Sequence, residues 1–308
     1  MQIGEGIEKI VLIVEGGIGK NVMATAVVRA IKKQHPNKKL VVVAGCSEVF
    51  FNNPNVKRVY NFGNPLHFYE DNVEPSTVLF KVEPYLHPDY IARKKHLVEC
   101  WCEMIDIKFD GSKPDLYMTP NEIDAAEKRK EEICKGKELL LIQWSGGKFP
   151  DDTTETKHRE AMAVMYRRSL KKTEIQKIVD LLKEKYHIGI IGHTNFPEIV
   201  GTDKIFHPIR NTIALLRVTD KFIGIDSFAQ HTLAAFNKSG LIFWGGTSPV
   251  CLGYDVHNNI FKEACPQPFC HRPNSYLLDI QPNGAMWDCP YGETCLSYSA
   301  ENIIELFK

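Results

Sequence analysis

The chain has 308 residues, 44% of them hydrophobic and 25% charged, about twice the usual domain length, so two domains are expected and a collagen-like or wholly disordered chain is excluded. Lysine plus arginine equals aspartate plus glutamate at 38 each, which removes the basic excess that would predict broad attraction to nucleic acid or to a membrane surface. The longest apolar runs, such as Val11 to Val14 and Leu40 to Ala44, are strand-sized and far short of the roughly 20 residues that span a bilayer.

The opening MQIGEGIEK is acidic where a signal peptide would be basic, so it reads as the start of a folded, cytoplasmic chain. Lys9 to Val14 is then an apolar strand, EGGIG a glycine turn, and Val22, Ala26, Val27, Ala30 and Ile31 a helix that stops at His35-Pro36. Leu40 to Ala44 suits a parallel strand covered on both faces. After an irregular stretch, Tyr90 to Asp106 reads as a helix presenting Cys100 and Trp101, and Glu122 to Lys135 as a charged helix that follows a proline-flanked connection.

A second αβ series starts with a strand over Glu138 to Gln143, a helix over Thr173 to Tyr186 capped by its threonine, and a strand over Ile188 to Ile191. It continues with a helix over Asn211 to Val218, a strand over Lys221 to Ile225, a helix over Gln230 to Phe236 and a strand over Leu241 to Trp244. Ser299 is placed to cap a last helix over Ala300 to Phe307. Two Rossmann-like halves, 1–120 and 121–308, account for this order, with the ligand crevice at the carboxyl ends of the strands.

Three turns leave strands with chemistry to offer. In EGGIGKN, Gly17 and Gly19 lie between a strand and a helix start, where backbone N–H groups receive an anion and Lys20 adds charge; a plain tight turn is the alternative. Asn21 after the lysine breaks the P-loop pattern, and the glycine spacing is not the dinucleotide fingerprint. In GIDS, Asp226 and Ser227 can cap the next helix and His231 lies one turn in, a pattern that suits either a bound sugar or phosphate or a core histidine. In FWGGTSP, Gly246, Thr247 and Ser248 suit a diphosphate.

The stretch Asp220 to Phe236, with its Asp-Ser pair and a histidine four residues after the serine, resembles the donor site of glycosyltransferase family 9, the ADP-heptose:lipopolysaccharide heptosyltransferases and their relatives. The resemblance extends over Phe243 to Pro249, Gly16 to Pro36 and Leu141 to Lys148. It implies an α/β, GT-B-like protein with two Rossmann-like domains facing a cleft, the first holding the acceptor and the second a nucleotide-sugar, with ADP favoured as the nucleotide. On that basis Asp226, Ser227 and His231 hold the donor's sugar and phosphates, Thr247 and Ser248 approach the diphosphate, and Lys148 neutralises the leaving group without a metal. The implied reaction moves a sugar to a hydroxyl of a glycan or lipid-linked glycan, with peripheral membrane contact compatible.

The family's loop carries an aspartate where this chain has Lys20, and a protonated lysine cannot take the acceptor's proton. Either Glu15 serves as base, or Lys20 binds an anionic acceptor group, or catalysis is lost and the chain only binds a nucleotide-sugar. A DNA-base acceptor would require a basic surface joining Lys20, Arg93 and Arg167. Arg210, ahead of the Asp226 strand, is a further candidate for the donor, while Arg167-Arg168 with Lys171-Lys172 reads as an acceptor contact or a solvated face. Within a cysteine-rich segment, 251–295, the pairs Cys265/Cys270 and Cys289/Cys295 could hold a structural zinc, although their spacings exceed the usual two to four residues and unpaired thiols explain them equally well.

Overall fold

The computed structural model describes residues 3–63, 67–146, 168–192, 196–206, 208–266, 268–270 and 294–307. The first half is a four-stranded sheet in the order β3-β2-β1-β4, built from β1 (Lys9–Val14), β2 (Lys39–Ala44), β3 (Arg58–Asn61) and β4 (Thr77–Phe80). Every pairing in it is parallel, and β1 and β2 are buried on both faces beyond their first residue, as their continuous apolar runs require. Helix α1 (Ile18–Gln34) makes the crossover from β1 to β2. Two short helices, α2 (Phe68–Asn72) and α3 (Pro88–Ile91), and a longer one, α4 (Leu97–Met104), follow. The single helix expected over Tyr90 to Asp106 is thus two, because Arg93 turns the backbone to φ 57° and His96 restarts it by accepting the Val98 N–H on its side chain. Cys100, Trp101 and Cys102 are fully buried, and burial raises both thiols to about 12, which makes them packing groups at neutral pH.

Helix α5 (Pro120–Cys134) opens with a reciprocal capping box between Thr119 and Glu122. The second sheet has the order β10-β9-β8-β5-β6-β7, from β5 (Glu138–Gln143), β6 (Tyr186–Ile191), β7 (Asp203–Ile205), β8 (Lys221–Ile225), β9 (Leu241–Trp244) and β10 (Asn258–Phe261). It too is parallel throughout. Among the described residues its helices are α6 (Lys172–Leu182), α7 (Ile209–Val218), α8 (Phe228–Ala235), α9 (Pro249–Leu252) and α10 (Ala300–Phe307). Ser299 caps α10 through the Asn302 N–H at 3.3 Å, as expected. Thr173 does not cap α6: the cap position is Lys171, without a side-chain bond, and Thr173 lies within the first turn.

In each sheet the chain starts on an inner strand, moves outward on one side and then returns to the other. The strand order therefore reverses between β1 and β4 and between β5 and β8, and these are the two places where such sheets open a crevice at their carboxyl edges. One apolar core runs through both halves, taking in Ile10, Met23 and Trp101 from the first and Ile213, Leu233 and Trp244 from the second, with α1 packed on α8.

The halves are also tied by Arg210 on α7. Its guanidinium donates to both Glu122 oxygens at 2.7 Å and to the carbonyls of Tyr117 at 2.8 Å and Glu48 at 3.3 Å. Arg210→Met is expected to cost about 3 kcal/mol, because it strips a nearly buried cation from its carboxylate and leaves two carbonyls unserved. Arg210 holds the Glu122 carboxyl down at about 2 from an ordinary 4.5. The pair's contribution is therefore complete above pH 4.5 and is lost as pH falls toward 2. Urea denaturation should show the two proteins converging in stability as the pH is lowered, and an unchanged gap would refute the ion-pair account.

Candidate functional site

The glycine turn of the first half is held by its own sequence. Gly16 sits at φ 100°, open to glycine and costly for other residues, and Gly17 is the first cap of α1. Asn21, fully buried, donates through Nδ2 to the carbonyls of Gly16 and Gly17 at 3.1 and 2.9 Å and accepts the Cys46 N–H at 3.2 Å. The residue that departs from a P-loop is therefore the brace of this loop.

Lys20 does not face an open acceptor space. Its ammonium is bonded to both oxygens of Glu83, at 2.9 and 2.8 Å, and lies 5.3 and 5.6 Å from the centres of the Tyr85 and Trp101 rings. The anion expected for Lys20 thus comes from the chain itself. Glu15 is paired with Lys81 at 2.5 Å. Arg210, expected near the donor, has its guanidinium engaged in the clamp described above.

In the second half, Asp226 leaves β8 at the switch point and is only 4% exposed. Arg168 Nη1 and His231 Nε2 each lie 3.9 Å from its carboxylate oxygens, and Arg168 also lies over Gly146 at the end of β5. Burial raises the Asp226 carboxyl above its ordinary range, opposed by Arg168 and by the Thr247 hydroxyl. Ser227 occupies the cap position of α8 but makes no side-chain cap bond, contrary to expectation; the Gln230 N–H donates to the Ser227 carbonyl at 3.2 Å, which leaves the Phe228 and Ala229 N–H groups to face an anion. Gly246, Thr247 and Ser248 line the next turn and are buried; Ser248 Oγ accepts the Val250 N–H at 3.3 Å and so caps α9.

The two switch points meet at His231. A Cβ built on Gly19 would lie 3.2 Å from the His231 ring and 3.7 Å from the Phe228 Cα, so glycine is what lets the loop of the first half reach the helix of the second. His231 Nδ1 is 2.9 Å from the Tyr254 hydroxyl, and its neighbour Gln230 donates to the Leu252 carbonyl at 2.9 Å. Burial pushes the His231 imidazole well below its usual range and takes His96 and His257 down to about 4; all three are neutral at pH 7. His96 Nδ1 accepts a backbone N–H, which leaves the ring proton on a buried Nε2 that has no hydrogen-bond partner among the described residues. Tyr90 of the first half closes this face, buried near Asp226 and Arg168.

The structure thus brings together Gly19, Asp226, His231 and Thr247, and adds Arg168, Glu83, Tyr90, His96 and Tyr254, which the sequence did not single out as site residues. Arg168 was visible only as one of a basic cluster, and the others carry no local motif. Lys148 and Cys289 lie outside the described residues, as does Arg167. Among the described residues the only metal-sized cluster of ligand types is His87, Asp89 and Glu103, which encloses the Lys95 ammonium bonded to both carboxylates at 3.0 and 2.6 Å; Cys265, Cys270 and Cys295 do not form one.

No protein-family model matches the sequence, and no curated protein is similar to it at the sequence level. The fold is that of GT-B glycosyltransferases, with two Rossmann-like halves facing a cleft. It is similar to the family 9 glycosyl transferase from Veillonella parvula, with a TM-score of 0.66 at 12% identity over 99% of this chain and 97% of that one. It is similar as well to ADP-heptose LPS heptosyltransferase II of E. coli, with a TM-score of 0.60 at 12% identity over 90% and 96% of the two chains. The iron-containing dodecameric glycosyltransferase TibC from enterotoxigenic E. coli gives 0.62 at 13% identity over 97% and 76%. The resemblance read from the sequence is therefore borne out in the fold. Among the described residues no helix is long and apolar enough to cross a membrane.

Proposed function

We propose that the chain is a glycosyltransferase that moves a sugar from a nucleotide-diphosphate-sugar to a hydroxyl of a glycan or lipid-linked glycan in the cytoplasm. The observation that carries this reading is the meeting of two switch points at Gly19 and His231, with a buried carboxylate and Arg168 on the second side. Asp226 and His231 present acceptors and a neutral imidazole to sugar hydroxyls, while Arg168 and the open first turn of α8 receive the diphosphate. Thr247 and Ser248 line the same turn, and Lys148, which follows β5 in sequence, is proposed to neutralise the leaving group. Residues 1–120 hold the acceptor and 121–308 the donor. ADP is the favoured nucleotide: a heptosyltransferase with this fold was solved with ADP-D-β-D-heptose.

A structural zinc on Cys265, Cys270, Cys289 and Cys295 remains part of this proposal. The Thr294 hydroxyl reaches the Ala264 carbonyl at 3.4 Å, so the segments of Cys265 and Cys295 run side by side, but the Cys265, Cys270 and Cys295 thiols are not gathered at ligand spacing and would have to draw together to hold the ion. The DNA-base alternative is not favoured, because Lys20 is buried against Glu83 and withdrawn from any basic surface, and Arg93 is bonded to the Pro268 carbonyl. Lys20 no longer favours a purely binding protein either, since it brings a carboxylate with it.

Calorimetric titration of the intact chain with ADP-, UDP- and GDP-sugars tests the reading. One donor class should bind, and Asp226→Ala should weaken it about 100-fold through the loss of charge-assisted hydrogen bonds. A folded protein that binds none of them would refute the donor site.

A further inference from the structure

Transfer to a hydroxyl requires that its proton leave as the oxygen attacks. We propose that Glu83 is the general base, with Lys20 as the residue that positions it; this rests on the glycosyl-transfer reading above. Among the described residues, Asp226, Glu15 and Glu83 follow strands at the two switch points. Asp226 is buried and belongs to the donor side. Glu15, the candidate from the sequence, is as exposed as Glu83, but its one partner, Lys81 at 2.5 Å, is itself 58% exposed, so no buried group fixes its direction.

Glu83 follows β4, the parallel neighbour of β1, and so emerges at the reversal point of the first sheet beside the glycine turn. Its side chain is 41% exposed, whereas the lysine that grips it is 7% exposed. Lys20 is fixed by the Tyr85 and Trp101 rings and bonds both carboxylate oxygens, while the Tyr85 N–H reaches Oε1 at 3.4 Å. Four lone-pair sites on a carboxylate exceed these three donors, so one faces outward for an acceptor O–H. Lys20 follows Gly19, which touches His231, so the base stands on the acceptor side of the same crevice that Asp226 closes from the donor side.

In the step itself the acceptor oxygen forms its bond to the anomeric carbon as its proton passes to Glu83. The bond from that carbon to the diphosphate oxygen breaks, the nucleoside diphosphate leaves with the electron pair, and Glu83 then returns the proton to water. A lysine in the glycine turn thus coexists with base catalysis because the carboxylate has moved to the adjacent strand.

The test uses the full chain, ADP-heptose as donor, and water or methyl glycosides as acceptors, with ADP release and calorimetric donor affinity as readouts. Glu83→Gln keeps an oxygen for Lys20, so the fold is retained. It should bind donor within about twofold of the parent and lose about 100-fold or more in ADP release. Glu83→Asp, which keeps the charge, should recover part of the rate, and Glu15→Gln should leave it unchanged. The proposal is overturned if Glu83→Gln turns over normally, if Glu15→Gln carries the loss instead, or if the parent binds ADP-heptose without releasing ADP. Absence of binding to any nucleotide-sugar would instead overturn the donor reading beneath it.

Discussion

Asp226→Asn is expected to give a protein that is more stable than the parent at pH 7 and that binds its nucleotide-sugar about 100-fold more weakly. The two effects have one cause. Burial raises the Asp226 carboxyl above the 3.8 of a free aspartate, and Arg168 and the Thr247 hydroxyl offset only part of it. A group whose folded value is raised contributes stability that is fully present below its unfolded value and is lost as pH rises through the folded one. At pH 7 the ionised carboxylate therefore costs stability in the unliganded protein, and asparagine of the same shape removes that cost. The gain should shrink as the pH is lowered toward 4 and vanish well below 3.8, where the carboxyl is protonated in the folded and unfolded chains alike. Thermal unfolding between pH 4 and pH 8, together with calorimetry, reads both effects. A variant less stable at pH 7 would mean that the carboxylate is a structural partner of Arg168 rather than a group held for a ligand.

Gly224→Val should cost about 3 kcal/mol. Gly224 lies in β8, two residues before Asp226, on the face that carries Phe222. The phenyl ring, itself 2% exposed, lies directly over it: a Cβ at Gly224 would stand 2.3 Å from Phe222 Cε1, and one at Gly240 would stand 2.9 Å from Cδ1. The ring is bracketed by two glycines inside the core and has nowhere to retreat. Added methyl groups must push it into a filled space or displace the strand that presents Asp226. Phe222→Leu, which shortens the side chain, should recover part of the loss in the double variant, so that the two changes together cost less than their sum. Strictly additive losses in urea denaturation would show that the ring is not what excludes the side chain.

Much of the fold was legible because parallel strands buried on both faces are continuous apolar runs. Lys221 to Ile225, Leu241 to Trp244 and Glu138 to Gln143 were found with the bounds that the structure gives. Helix ends were less so. Thr173 looked like a cap and lies inside its helix, and the segment from Tyr90 to Asp106 hid a turn at Arg93 whose positive φ no residue type announces.

The second switch point could be read because Asp226, His231 and Thr247 each follow a strand within a few residues, and the carboxyl edge of a parallel sheet is where such residues gather. By itself the sequence determined the two αβ series, the two polar turns of the second half, the glycine turn of the first and the presence of a cation where a base was expected. Only the tertiary structure decided what that cation meets. Glu83 is 63 residues from Lys20, and nothing local marks it. The two come together because β4 returns to lie against β1 after the chain has moved outward through β2 and β3. Arg168 reaches Asp226 across 58 residues in the same manner, through the adjacency of β5 and β8. A charge announces that it needs a partner, whereas the order of strands in a sheet, set by burial over the whole chain, selects which partner it finds.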